Sequence, residues 1–138
     1  MDLEVGLRAE REIVVTPSIT ADQEGNPGVN VLSTPQLVRL FETTAIEATK
    51  SALESGQGTL GTRLDIRHLA ATPVGMRVWT EAELVEVDGR RLVFRLSARD
   101  EQEPVGEGTH ERHVVDLERF RARAEAKRAT GAGGGHKR

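Results

Sequence analysis

The stretch STPQLVRLFETTAIEATKSALE, Ser33 to Glu54, is the longest run in this 138-residue chain with the hydrophobic period of a helix. It opens with Ser33-Thr34-Pro35, where a hydroxyl side chain can cap the first free N–H groups and proline suits the first helical position. Leu37, Leu40, Phe41, Thr44, Ala45, Ala48 and Ala52 then recur at the spacing that lines one face. Val38, Ile46 and Leu53 make a second column beside it, interrupted by Glu42. A helix apolar over so much of its circumference is expected to be largely buried, and a carboxylate buried with it needs a partner or a task.

The segments around this helix read mostly as strands. Leu7, Ala9, Ile13 and Val15 alternate with polar positions, predicting a half-buried or edge strand that ends at Thr16-Pro17. Residues 17–32, PSITADQEGNPGVNVL, carry two prolines and two glycines and predict an irregular connection, long enough to serve as a lid or binding loop. After the helix, Ser55-Gly56-Gln57-Gly58 supplies a stop. Thr59–Leu69 then alternates with Leu60, Thr62, Leu64, Ile66 and His68 on the inward face, and Val74–Val87 places Val74, Met76, Val78, Thr80, Ala82 and Leu84 inward. Asp88-Gly89 signals a two-residue hairpin returning through Leu92, Phe94, Leu96 and Ala98. A polar turn at Asp100–Pro104 leads into a strand over Val105–Leu117, where Gly106 and Gly108 predict a bulge or a close approach. Residues 117–129 fit a short amphipathic helix with Leu117, Phe120 and Ala124 on one face, and the low-complexity ending GAGGGHKR is expected to lack fixed structure. This order predicts one α+β domain over residues 1–120, an antiparallel sheet against one main helix, followed by a basic helical extension and flexible tail over 121–138.

Composition narrows the functional classes. Charged residues are 30% and apolar residues 37%, with only three Phe and one Trp, too few aromatic rings for recognition of nucleic acid by base stacking. Net charge is −3, but residues 119–138 hold seven Lys/Arg against one Glu, leaving twelve basic against twenty-one acidic residues in the body. An acidic body argues against a general binder of nucleic acid or other polyanions. No cysteine is present, which excludes disulfides, thiolate catalysis and cysteine-based zinc sites. The start MDLEVGLRAE lacks a signal-peptide core, and no apolar run is long enough for a membrane helix, so a cytoplasmic location is expected.

Three polar residues fall on or near apolar faces: Thr34, Glu42 and His68. Histidine is the acid/base group whose ordinary pKa lies nearest neutrality, and a carboxylate in an apolar setting can act as base, nucleophile or orienter. A threonine at a helix start can set its hydroxyl beside free backbone N–H groups, though here it shares the cap position with Ser33. Each also has a plain structural reading: Thr34 as a cap, His68 as a hydrogen-bonded core residue, Glu42 as a side chain reaching solvent. Thr34 and Glu42 are separated by about 12 Å along the helix axis and about 80° around it, so they do not touch in a straight helix. Either a substrate lies along the helix or a second chain supplies one group. His110 and His113 suggest a metal pair, but an offset of three sends them to opposite faces of a strand, and no metal site is expected. Gly106-Glu107-Gly108 lacks the strand-to-helix turn of a phosphate loop, and Arg90, Arg91, Arg95 and Arg99 read as a solvated face.

The run GTLGTRLDIRHLAATPVGMRV, with ELVEVDGRRLVFRLSARD and GEGTHERHVV after it, resembles the fluoroacetyl-CoA thioesterase family of the hotdog fold over about residues 31 to 120. The pair HLAATPVG and GTHER carries the likeness. The resemblance implies a long central helix wrapped by an antiparallel sheet, a homodimer with acyl-CoA sites at the subunit interface, and no cofactor beyond the CoA of the substrate. It places the family's catalytic threonine, glutamate and histidine on Thr34, Glu42 and His68, a glycine lining its site on Gly61, and a substrate-binding arginine on Arg112. In one respect the chain departs from the family: residues 17–33 contain no aromatic residue, and Gly28 falls where the family has a lid phenylalanine. The expectation is therefore hydrolysis of a short acyl-CoA without a claim to fluorine selectivity. A non-catalytic acyl-CoA or small-ligand binding protein and a hotdog acyl-CoA hydratase are the alternatives.

Overall fold

The computed structural model describes residues 3–134, with side chains through residue 129. Five strands, β1 (Arg8–Val14), β2 (Gln57–His68), β3 (Arg77–Asp88), β4 (Arg91–Asp100) and β5 (Pro104–Asp116), form one antiparallel sheet in the order β1-β3-β4-β5-β2. Helix α1 (Thr34–Thr49) lies against the inner face of this sheet and continues into a short 3-10 turn at Lys50–Ala52. The second helix, α2 (Leu117–Gly134), leaves directly from the end of β5.

Helix α1 starts where a hydroxyl can satisfy a free N–H. Ser33 performs that task, its Oγ accepting from the Gln36 backbone N–H at 3.2 Å, and Pro35 follows in the first turn. The buried face is Leu37, Phe41, Thr44, Ala45, Ala48 and Thr49. It meets the inward side chains of β3 and β4, among which Val78, Ala82, Leu84, Leu92 and Phe94 are fully buried. Burial of Phe41 or Phe94 contributes about 1.5–3 kcal/mol relative to exposure, so the strict alternation of β3 and β4 is what seats the helix. Thr44 is tolerated in this core because its hydroxyl meets the Leu40 carbonyl and the Thr80 hydroxyl, both at 2.7 Å.

Several details differ from the sequence expectation. The second apolar column is not buried: Ile46 is 41% exposed and the Glu42 side chain 42%, so within one chain α1 shows solvent a stripe containing both. Strand β3 begins at Arg77, which leaves Val74 in the preceding turn and 41% exposed. Residues 17–32 are more regular than predicted. They hold two 3-10 turns, Pro17–Ile19 and Ala21–Glu24, and bridges pair Thr20 with Leu32 and Val31 with Pro73. Helix α2 extends to Gly134, beyond the expected 129, and Phe120 on it is 42% exposed rather than packed. The rest of the ending expected to lack structure, residues 135–138, lies outside the described residues.

The alternation of β2 contains the difference with most effect on the site. Gly61 pairs with Arg112 and Arg63 with Glu111, so Thr62 is an extra residue in a bulge. Inserting one residue flips the parity of the strand. Leu64, Ile66 and His68 face inward as expected, but before the bulge the inward positions are Thr59 and Gly61, not Leu60 and Thr62. Thr62 instead turns its hydroxyl to His113 Nδ1, 3.1 Å away.

The glycines of β5 serve close approach, of the β2 backbone at Gly108 and of a helix side chain at Gly106. A Cβ on Gly108 would lie 2.2 Å from the Asp65 carbonyl oxygen, and one on Gly106 would lie 3.0 Å from Leu37 Cδ2. Gly89, with φ +63°, allows the turn between β3 and β4. The arginines of β4 are on the outer face: Arg91 pairs with Glu111 and Glu86, Arg95 with Glu83, and Arg99 covers the ring of Trp79 at 4.5 Å. No helix among the described residues is long and apolar enough to cross a membrane.

Candidate active site

Because Ser33 caps the helix, the Thr34 hydroxyl is released for other contacts. It lies 2.7 Å from His68 Nδ1. Thr34 is the first residue of α1 and His68 the last of β2, and the chain segments beside them are stitched together by the Leu32 N–H donating to the Thr72 carbonyl at 2.8 Å. Leu69 N–H donates to the Val105 carbonyl at 2.7 Å, which fixes the end of β2 against β5. Burial pushes the His68 imidazole below its ordinary pKa, with the nearby Ala70 backbone opposing it. Its Nε2 is buried with no hydrogen-bond partner among the described residues. A neutral imidazole with one nitrogen on a hydroxyl and the other unpartnered is equipped to accept or deliver a proton.

A groove of about 570 Å³ runs past this pair, lined by Ala21, Val31, Thr34, His68, Ala70 and Ala71 among others, with Glu24 and Asn26 also on its walls. A hollow of similar size, about 600 Å³, lies among the charged side chains of the outer sheet face, including Arg67, Glu81 and Arg95, away from this chemistry. The first groove is the relevant one because it contains the hydroxyl–imidazole pair.

Glu42 belongs to a different cluster. Its Oε2 is 3.8 Å from Arg112 Nη1. Arg112 is only 3% exposed and is held from several sides: Nε donates to Thr59 Oγ1 at 2.9 Å, Nη2 to the Thr59 carbonyl at 2.7 Å, and Nη1 to His110 Nε2 at 3.1 Å. Burial lowers the Arg112 pKa and the Glu42 charge raises it again. Gly61 makes the space: a Cβ there would lie 2.9 Å from Glu42 Oε2, 3.1 Å from His110 Cε1 and 3.3 Å from Arg112 Nη1. The structure thus brings Gly61 and Arg112 together with Glu42, and Thr34 together with His68, and shows no contact between the two groups within the chain. The sequence reading set His110 aside as a structural or surface histidine after discarding the metal pair, and the structure buries it against Arg112. The signal was its place two residues before Arg112, which puts both on one face of β5.

A long helix seated on a five-stranded antiparallel sheet is the hotdog fold, and thioesterases are among the solved structures it matches. A Thermus thermophilus member of the thioesterase superfamily superposes with a TM-score of 0.87 at 27% identity, covering 94% of this chain and 96% of that one. Residues 15–118 match the sequence model described as fluoroacetyl-CoA-specific thioesterase, FlK, and the chain belongs to that family. The fluoroacetyl-CoA thioesterase of Streptantibioticus cattleyicolor is 39% identical over 135 residues, 94% of this chain and 97% of the relative. A crystal structure of the fluoroacetyl-CoA thioesterase FlK superposes with a TM-score of 0.84, covering 92% of this chain and 98% of that one.

Proposed function

We propose that this protein hydrolyses short acyl thioesters of coenzyme A, with Thr34, Glu42 and His68 as its catalytic residues. The observation that carries the reading is the 2.7 Å contact between Thr34 Oγ1 and His68 Nδ1 in a chain of this family. In the reaction the acyl carbon–sulfur bond breaks and water supplies the hydroxyl of the product acid. Glu42 acts at the thioester carbonyl, either by activating that water or by attacking the carbon itself before water releases the acid. The hydrogen that water loses in forming the acid reaches the departing CoA thiolate by way of His68, whose Nδ1–H donates to Thr34 Oγ1 and so leaves the Thr34 hydroxyl free to donate to the carbonyl oxygen as it gains charge. Water and these groups suffice chemically, so the only coenzyme in the scheme is the CoA of the substrate.

The separation of Glu42 from the Thr34–His68 pair favours a site shared by two copies of the chain. Glu42 and Ile46 lie on the solvent-facing stripe of α1, and β2 is an edge strand with its outer side unpaired. Both features fit a homodimer in which Glu42 of one copy meets Thr34 and His68 of the other. Gly61 keeps room for the Glu42 carboxylate, and Arg112 holds charge against it. The cysteine-free composition supports a reducing, cytoplasmic setting.

Acyl choice is read from the groove. Its walls carry Ala21, Val31, Leu69, Ala70 and Ala71 and no Phe, Tyr or Trp, and Gly28, with φ +82°, adds no side chain to the loop beside it. Without a ring to close over a two-carbon fluorinated acyl group, the proposal is general for short acyl chains. Release of free thiol from a panel of acyl-CoAs, fluoroacetyl-CoA included, tests it. Turnover by the wild-type chain and its loss in folded His68→Ala and Glu42→Ala variants are expected. Tight acyl-CoA binding without thiol release would make the protein a binder, and hydration of an enoyl-CoA without thiol release would make it a hydratase.

A further inference from the structure

His110 is 1% exposed on β5, and both its ring nitrogens are committed. Nδ1 lies 2.8 Å from the Arg63 carbonyl oxygen and Nε2 lies 3.1 Å from Arg112 Nη1. A carbonyl only accepts and a guanidinium only donates, so the contacts define one protonation form: hydrogen on Nδ1, lone pair on Nε2, ring neutral. The bulge at Thr62 is what interrupts the β2–β5 ladder beside Arg63, where this carbonyl takes a side-chain donor. The Phe94 ring, 6.2 Å away, closes the pocket on the β4 side.

The consequence reaches Glu42. Arg112 Nη1 bonds His110 at 3.1 Å and stands off Glu42 Oε2 at 3.8 Å, beyond hydrogen-bond length. The guanidinium therefore stabilises the carboxylate's charge without occupying its lone pairs, which a base or nucleophile needs free. We propose that neutral His110 is a positioning residue for Glu42: by accepting the Arg112 Nη1 hydrogen it keeps the guanidinium from closing on the carboxylate. The proposal rests on Glu42 acting in thioester hydrolysis. Without the acceptor at Nε2, Nη1 turns to Glu42, 3.8 Å away, and forms a direct charge-assisted pair that lowers the carboxylate's reactivity. A protonated His110 has the same effect, since it loses the acceptor and sets two cations side by side. The charges acting on the ring are Arg112, from its own strand, and Glu42, from α1; they oppose each other, while burial favours the neutral form most.

The test uses the full-length protein and steady-state thiol release. His110→Leu is expected to lower kcat at least about tenfold with KM within about threefold, the split that marks a lost transition-state contribution. His110→Gln, whose side-chain oxygen restores an acceptor toward Arg112, recovers most of that loss. In an Arg112→Met background, His110→Leu adds less than about twofold, because the residue acts through the guanidinium. Equal damage by Leu and Gln, or losses that multiply with Arg112→Met, would overturn the proposal. Nitrogen NMR of the wild-type imidazoles gives a reading independent of any variant's folding. At pH 7 His110 is expected neutral with hydrogen on Nδ1, and hydrogen on Nε2 or a protonated ring contradicts the assignment. Absence of thiol release by wild type would instead defeat the hydrolase reading, and the spectrum would still decide how His110 is held.

Discussion

Thr34 Oγ1 lies 2.7 Å from His68 Nδ1, joining the first residue of α1 to the last residue of β2 across 34 positions of sequence. The contact exists because Ser33, not Thr34, caps the helix. Two neighbouring hydroxyls at one helix start thus have separate tasks, one structural and one facing the groove.

That division separates under mutation. Ser33→Ala is expected to cost about 1 kcal/mol of stability, the usual effect of removing an N-cap, with turnover within about threefold of wild type. Thr34→Ala is expected to leave the melting midpoint nearly unchanged and to lower kcat at least about tenfold, while Thr34→Ser keeps most of the activity. Thermal melts followed by circular dichroism, beside thiol release, check both. The reverse pattern would make Thr34 the cap.

Gly61 and Gly108 are both crowded, by different neighbours. At Gly61 the obstacles to a Cβ are the ends of the Glu42, His110 and Arg112 side chains, which can shift. Gly61→Ala is therefore expected to fold with a loss of about 1–3 kcal/mol and to reduce kcat strongly by displacing Glu42. At Gly108 the obstacles are the Asp65 carbonyl oxygen at 2.2 Å and Ile66 Cα at 2.7 Å, backbone atoms that cannot yield without parting β2 from β5. Gly108→Ala is expected to fail to accumulate as folded protein. A stable, fully active Gly61→Ala would separate Gly61 from the site.

Acid should weaken the fold through the half-buried His68 and the buried His110. Burial lowers the pKa of both His68 and His110, so between the unfolded value of about 6.5 and the lower folded values the unfolded chain binds more protons. Their neutral burial is without penalty above about pH 6.5, and stability falls as pH drops from there through the folded pKa values. Urea midpoints measured from pH 7.5 to 5 are expected to decline in wild type and to decline less in His110→Gln. Identical slopes in the two proteins would show that folding does not lower the His110 pKa.

Much of the fold was legible because its signals are periodic. The 3.6-residue face of α1 and the two-residue alternation of β3 and β4 name the residues now buried, from Leu37 and Phe41 to Phe94 and Leu96. The stripe with Ile46 was misread because an apolar column has the same appearance in one sequence whether its own sheet or another surface covers it. The bulge at Thr62 was not legible, since one inserted residue leaves the alternation intact on either side and only reverses its sense. Thr34, Glu42 and His68 were recognisable as polar residues on apolar faces. Their division into two clusters was not, because Thr59 and His110 hold Arg112 beside Glu42 through side-chain geometry that depends on that bulge.

The central claim, one hydrolytic site built from Thr34 and His68 of one copy and Glu42 of another, is tested most directly by subunit complementation. His68→Ala and Glu42→Ala variants, each inactive alone, are mixed by co-refolding and assayed for thiol release from a good acyl-CoA substrate. A shared site predicts recovery to roughly a quarter of wild-type activity, since half the dimers are mixed and each has one intact site. If every site lies within one chain, no mixed dimer contains an intact set, and activity that stays at the level of the separate variants would contradict the account.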